Sequence, residues 1–350
     1  MAESQENTRK GRGCGFGCAL FLILFLGLGV LVALGLMGSL GVLSTRRGTP
    51  WDALFKGYGS AYDVGEDEAP DMIERWSSGQ GEAKVVRVPV NGMIMLGDSA
   101  WYAGNANTVL RSIRRATHDP EVRGLLLEIN SGGGGITDSD IIYKALLDFK
   151  KAQEGRYIVT LMGDVAASGA YYIALASDRI LAHPTTLTGS IGVIMQSYNI
   201  KDLAAKLGIQ DVTIKSGDNK DLLNPFREVK PEQKELLQKV ISAMHERFVG
   251  LVAEHRKLSQ ETVKPIADGR VFLADEALRL KLIDAIGYNA DAQAAMAELL
   301  DTDAVKVIRY EEHVTLMDLF SARPGIGVNA GWRRFLSDAA DRRLMYHWSW

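Results

Sequence analysis

An α/β fold with a mostly parallel sheet, set behind one membrane-spanning helix, is what the sequence predicts. Two observations carry that prediction. Short β-rich runs alternate with helical stripes from Lys84 onward, and a long uncharged apolar run precedes them. At 350 residues the chain has room for one large domain or two small ones. Apolar residues at 47% and charged residues at 24% are ordinary for a protein with a real core.

The apolar run comes first. No charged residue stands between Gly13 and Thr45, and "ALFLILFLGLGVLVALGLMGSLGVL" is long enough to cross a bilayer core of ~30 Å. Met37-Gly38-Ser39 offers a weak small-x-small cleavage site, but the run is longer than a signal peptide needs, so an uncleaved anchor over 13–43 is expected. Arg9, Lys10 and Arg12 precede it and Arg46 and Arg47 follow it, a small bias that places residues 1–12 in the cytoplasm. The catalytic part then lies on the outer side. Cys14 and Cys18, the only cysteines, sit at the edge of this run, which excludes a disulfide framework. They read as apolar filler or as acylation sites. Residues 44–82, rich in Gly, Ser and acids, read as a linker and stalk.

From residue 83 to about 310 the pattern is that of one catalytic domain. "VVRVPV" and "GLLLEIN" are strands, the second apolar enough to be buried on both faces. Between them "NANTVLRSIRRATHD" places Val109, Ile113 and Ala116 on one helical stripe. A second helix after Thr137 carries Ile141, Ile142, Ala145 and Leu146. "RYIVTLMG", "RILAHP" and "SIGVIMQ" read as strands, "GAYYIALAS" as a helix, and the segment from Pro231 to Lys257 as a long amphipathic helix. Strand–helix alternation implies βαβ crossovers and a mostly parallel sheet. Residues 311–350 form a tail ending "RRLMYHWSW", which either docks in a groove or packs on a surface.

The formal charge of −3 gives no electrostatic reason to expect nucleic acid. Six scattered histidines without metal-ligand spacing give none to expect zinc. Chemistry concentrates elsewhere. Ser168 sits among small residues in "GDVAASGAYYIA", as a nucleophile on a tight turn would, although a crowded structural turn looks the same. "EINSGGGGITDSD" puts Gly132 to Gly135 between a buried strand and a helix start, where backbone N–H groups can approach a developing negative charge. A phosphate loop would need a Gly-Lys-Ser/Thr ending, which is missing.

A serine nucleophile needs a base. His183 ends a strand before a proline, His118 precedes Asp-Pro, and His245 and His255 lie on the long helix, so no Ser/His/Asp set suggests itself. A lysine serves if burial lowers its pKa from ~10.4 by ~3 units, roughly 4 kcal/mol. "TIKSGDNKDLLNPF" offers Lys215 and Lys220.

Five segments in order, "INSGGGG", "DVAASGAYYIA", "TGSIGVI", "KSGDNKDLLNPFREV" and "IADGRVFLADEALRLKLID", strongly resemble bacterial signal peptide peptidase A, over about residues 83–300. The resemblance implies a membrane-anchored Ser-Lys peptidase of the Clp/crotonase fold, a ββα superhelix. It implies Ser168 as nucleophile, Lys220 as general base and Ser190 as the hydroxyl that orients the lysine. Gly134 and Gly169 become the oxyanion donors. Two departures stand out: Gly132 replaces the family's proline, leaving that loop less rigid, and Ala170 replaces a glycine. The resemblance implies no metal or cofactor. Expected partners are remnant signal peptides and other extended apolar peptides, the lipid bilayer, and further copies of the chain in an octameric dome. In that dome Ser168 of one copy meets Lys220 of its neighbour. The competing readings are a Clp-like Ser-His-Asp peptidase, a crotonase-type acyl-coenzyme A enzyme and a non-catalytic membrane scaffold.

Overall fold

Leu125, Leu126 and Leu127 are consecutive and all fully buried. Alternation along a strand sends Leu126 to one face of a sheet and its two neighbours to the other, so both faces must be covered. That is the arrangement found. The computed structural model describes residues 68–97, 105–312 and 345–347.

The strands are β1 (Ile73–Ser78), β2 (Ala83–Asn91), β3 (Val122–Ser131), β4 (Gly133–Gly135), β5 (Tyr157–Ala167), β6 (Arg179–Ala182), β7 (Leu187–Gly189), β8 (Val271–Leu273), β9 (Ala285–Ile286), β10 (Val305–Glu311) and β11 (Met345–His347). The helices are α1 (Ala106–His118), α2 (Ile136–Ala152), α3 (Gly169–Ala174), α4 (Lys201–Lys206), α5 (Pro231–Arg256), α6 (Gln260–Val263), α7 (Ala274–Arg279) and α8 (Asn289–Leu299). The main sheet runs β1-β10-β2-β3-β5-β6-β9, with β7 pairing β5 and β8. Every pair along the path from β10 to β9 is parallel, and β1 and β8 join antiparallel. The α/β class and the mostly parallel sheet follow the sequence expectation.

One face of the sheet packs Val86, Val88, Leu125, Leu127 and Ile158 against α1, α2, α3 and the end of α5. The other face packs Val85, Leu126, Val159 and Leu181 against Ala292 and Met296 of α8. Val109, Ile113 and Ala116 form the buried stripe of α1 as their spacing predicts. Helix α5 starts with Pro231 at its first turn, where a missing N–H costs nothing, and stops at Lys257 in a left-handed conformation. Only its C-terminal half, through Phe248, Val249, Val252 and Ala253, enters the core.

Three elements differ from expectation. Residues 73–78, placed in the linker by composition, form β1 on the edge of the sheet. "SIGVIMQ" is not a strand: β7 lies just before it and ends at Gly189, and the next residue, Ser190, has a φ of 48° that turns the chain out of extended geometry. The tail beyond 310 contributes β11, paired antiparallel to β4. The anchor expected at 13–43 lies outside the described residues, and no helix among those described is long and apolar enough to cross a membrane.

Candidate active site

The site grows from the ends of β5 and β7. These strands are parallel, with Ala167 opposite Gly189, so the next residues, Ser168 and Ser190, come side by side. The Ser168 N–H donates to the Gly189 carbonyl (2.8 Å), and the Ser190 N–H donates to that of Arg270 (2.8 Å). Both serines are buried, at 1% and 6% exposure. Both also have left-handed φ values, 57° and 48°. Such a value in a non-glycine residue costs of order 1–3 kcal/mol and persists only where the surroundings impose it. Ser168, with ψ at −119°, is the strained corner between β5 and α3. A sharp strand-to-helix turn of this kind lifts a serine hydroxyl clear of its neighbours.

Gly169 opens α3, and the first N–H groups of a helix have no acceptor within it. Gly134 lies in β4, where Ile94 holds the flanking glycines: Ile94 N–H donates to Gly133 (3.0 Å) and Gly135 N–H donates to Ile94 (2.8 Å). A Cβ at Gly134 would come within 2.7 Å of the backbone C and N of Ile94, so only glycine allows this approach. Since Gly133 and Gly135 bond toward Ile94, alternation turns the Gly134 N–H to the opposite edge. Tyr346 of β11 pairs with Gly134 at that edge.

Asp268 and Arg270 shape the turn that receives Ser190. Arg270 Nε donates to Asp268 Oδ1 (2.8 Å), and these bonds hold the Asp268 pKa down to about 2.

The two candidate lysines part company. Lys215 Nζ is bound to Asp221 (2.7 Å) and to the Asp218 carbonyl (3.0 Å). Lys220 is exposed, and its side chain meets no ion-pair or hydrogen-bond partner among the described residues. The structure therefore brings Ser168 and Ser190 together within one chain and leaves Lys220 on a solvent-facing loop.

The four histidines with described side chains are engaged elsewhere. His183 Nδ1 donates to the Gly287 carbonyl (3.1 Å) and its ring lies against Tyr288. It follows Ala182, which is opposite Met162 on β5, so Ser168 is five residues farther along that strand, about 16 Å away by strand rise. His118 donates to Arg114 and His245 to Ala267. His255 shares a 2.6 Å hydrogen bond with the Tyr143 hydroxyl, and burial pushes its pKa below the usual value. No cluster of three metal-ligating side chains occurs among the described residues.

Residues 150–303, which include Ser168, Ser190 and Lys220, match the family model for peptidase family S49. A protein of Enterococcus faecium designated as a candidate signal peptide peptidase SppA is 36% identical over 246 residues, which cover 69% of this chain and 71% of that one. The chain belongs to peptidase family S49. It thus falls in the serine peptidase class, and the acyl-coenzyme A reading falls away. A candidate protease of Synechocystis sp. is 37% identical over 65% of this S49 chain and 79% of its own length. Protease 4 of Salmonella typhi is 31% identical over 65% of this chain, a stretch that makes up only 37% of that longer protein. Among solved structures, a ClpP1 mutant from Listeria monocytogenes superimposes with a TM-score of 0.37 at 18% identity, covering 60% of this chain and 94% of that one.

Sequence reasoning missed two neighbours of the site. One is Ile94, whose backbone flanks the glycine strand; "NGMIMLGD" carries no signal of that role. The other is β11, for which the tail's apolar and aromatic composition was the only hint.

Proposed function

We propose that this S49 peptidase cleaves peptide bonds with Ser168 as nucleophile, Lys220 as general base and Ser190 as the hydroxyl that orients the lysine. The observation that carries the reading is the strained, buried Ser168 at the β5–α3 corner, next in register to Ser190. In this scheme neutral Lys220 takes the Ser168 proton as Oγ bonds to the substrate carbonyl carbon. The oxyanion is held by the N–H groups of Gly134 and Gly169. Collapse breaks the C–N bond, and the leaving amine takes the proton from Lys220. Water, deprotonated by Lys220, then splits the ester, releasing the acid and restoring the serine.

A solvated lysine is charged at neutral pH and makes a poor base. Lys220 is exposed in the single chain, so the reaction needs something to cover it. A second copy fits, because the region around Lys220 shows much apolar surface: Leu203, Leu207, Ile209, Val212 and Ile214 are all more than half exposed. The proposed enzyme is a closed ring, an octameric dome, in which each Ser168 meets the Lys220 of its neighbour. Its peptidase domain, which takes in β1 as well as residues 83–310, stands on the outer side of the membrane, held by the 13–43 anchor through the chain that precedes β1. Its substrates are remnant signal peptides and other extended apolar segments.

The test is labelling followed by complementation. A fluorophosphonate should modify Ser168 alone, and Ser168→Ala and Lys220→Ala should each lose at least ~10³-fold in kcat/KM. Mixed in equal amounts and reassembled, the two inactive chains should recover about a quarter of wild-type activity, since one interface in four carries an intact pair. Copurifying mixed rings without activity would place the dyad within one chain. Full activity in Lys220→Ala would remove the lysine from the chemistry.

A further inference from the structure

The loop that carries Lys220 is built inside out. Val212 and Ile214 are 85% and 97% exposed, while the side chains of Asp211 and Asp221 are only 17% and 12% exposed. Between residues 210 and 230 there is neither helix nor strand to give this segment a shape. Its shape comes from charge. Arg227 spans both acids, with Nε donating to Asp211 Oδ2 (2.7 Å) and Nη1 to Asp221 Oδ2 (3.1 Å). Lys215 Nζ takes the other Asp221 oxygen (2.7 Å), and Asn224 Nδ2 donates to Asp211 Oδ2 (3.0 Å). These bonds tie residue 211 to residue 227 and fold the intervening chain into one closed loop. The loop is stapled to the body next to α4, where Asn199 Nδ2 donates to the Arg227 carbonyl (3.1 Å) and the Ile200 N–H donates to that of Pro225 (2.7 Å).

Asp221 directly follows Lys220. With one carboxylate oxygen on Lys215 and the other on Arg227, the Asp221 side chain is held in one place. The backbone at 220–221, and with it the direction in which Lys220 leaves the loop, is held too. The Lys215 ammonium, with Arg227 beyond it, also keeps the Asp221 carboxyl below the usual carboxylate range, so the pairing stays intact at working pH.

We propose that Lys215, Asp221, Arg227 and Asp211 form a charged clasp that presents Lys220 to the site holding Ser168, so that Lys215 is a positioning residue of the peptidase reaction and not its base. The proposal rests on Lys220 being the base. Magnitudes favour positioning over simple stabilisation. The clasp folds a surface segment in which no residue from 210 to 230 is fully buried, so opening it disturbs no core packing, yet displacing a reacting group by about 1 Å can cost ~10²-fold in rate. Breaking the clasp should therefore damage turnover far more than folding.

The experiment uses the full-length protein, assembled as isolated, and a fluorogenic peptide. Lys215→Met is expected to lower kcat ~10–100-fold, with KM changed less than about threefold and Tm lowered by less than about 4 °C. The fluorophosphonate labelling rate of Ser168 should fall in parallel with kcat. Lys215→Arg should restore kcat to within about threefold of wild type, because arginine keeps the pairing with Asp221 but cannot act as a base. Arg227→Met opens the clasp from its other end and should repeat the Lys215→Met pattern, which covers the case of one variant failing to fold. A Lys215→Met enzyme with kcat within threefold of wild type, while Lys220→Ala is dead, overturns the clasp alone. A Lys215→Arg enzyme as dead as Lys215→Met makes Lys215 a proton carrier and also overturns it. Full activity in Lys220→Ala removes the base reading and the clasp together.

Discussion

Replacing Ser168 with glycine should give a more stable protein than replacing it with alanine, the reverse of the usual order. Both variants lose the hydroxyl, so the comparison isolates the backbone. At φ 57° and ψ −119° an L-residue sits in a corner that glycine occupies freely. The strain belongs near the top of the ~1–3 kcal/mol range for such conformations. Against its relief stand about 1 kcal/mol for the greater freedom of glycine in the unfolded chain and about 0.8 kcal/mol for one lost buried methyl group. The balance is about 1 kcal/mol in favour of glycine. For a domain of this size that is a Tm higher by about 2–4 °C in Ser168→Gly than in Ser168→Ala. Calorimetry or chemical denaturation of the two inactive proteins, matched for assembly state, measures it directly. If Ser168→Ala proves the more stable by about 1 kcal/mol or more, the corner carries less than about 1 kcal/mol of strain, below the range for such conformations, and the argument that the fold holds this serine up against a cost is wrong.

Three other outcomes are expected. Gly134→Ala puts a methyl group onto the Ile94 backbone and should move β4, costing about 10²–10³-fold in kcat if its N–H serves the oxyanion; an unchanged kcat in the folded variant removes Gly134 from that role. Ending the chain at residue 344 takes β11 off the β4 edge and should lower KM several-fold for a short peptide, since about two net hydrogen bonds no longer compete; an unchanged KM would show that substrate does not use that edge. His255 is kept largely neutral by burial, with Lys150 and Arg256 adding to the effect and Glu254 opposing it. Its folded pKa is depressed, so the unfolded chain binds the extra proton first. Stability should be level above about pH 7 and fall below about pH 6.5 by up to ~1.4 kcal/mol per pH unit. Melting between pH 5 and 8 should show that slope in the wild type and lose most of it in His255→Gln, and an equal slope in both would place the titration elsewhere.

The sequence alone determined the α/β class, the strand that is buried on both faces and the serine at a strand-to-helix corner. Each of these is a local pattern: three leucines in a row, small residues around Ser168, and a period of 3.6 through Val109, Ile113 and Ala116. Such patterns are readable because the backbone geometry that uses them spans only a few residues. The segment "TIKSGDNKDLLNPF" offered two lysines, 215 and 220, and the family resemblance assigned the base to Lys220. What the tertiary structure added is their surroundings: Lys215 is bonded to Asp221, and Lys220 has no ion pair among the described residues. The pairing of Ser168 with Ser190 depends on the register of β5 against β7, which sets residues twenty-two positions apart opposite each other, and no local signal encodes that register. Residues 73–78 show the same limit from the other side. Their composition is that of a linker, and they are a strand because β10, more than two hundred residues later, offers an open edge that satisfies their backbone N–H and C=O groups.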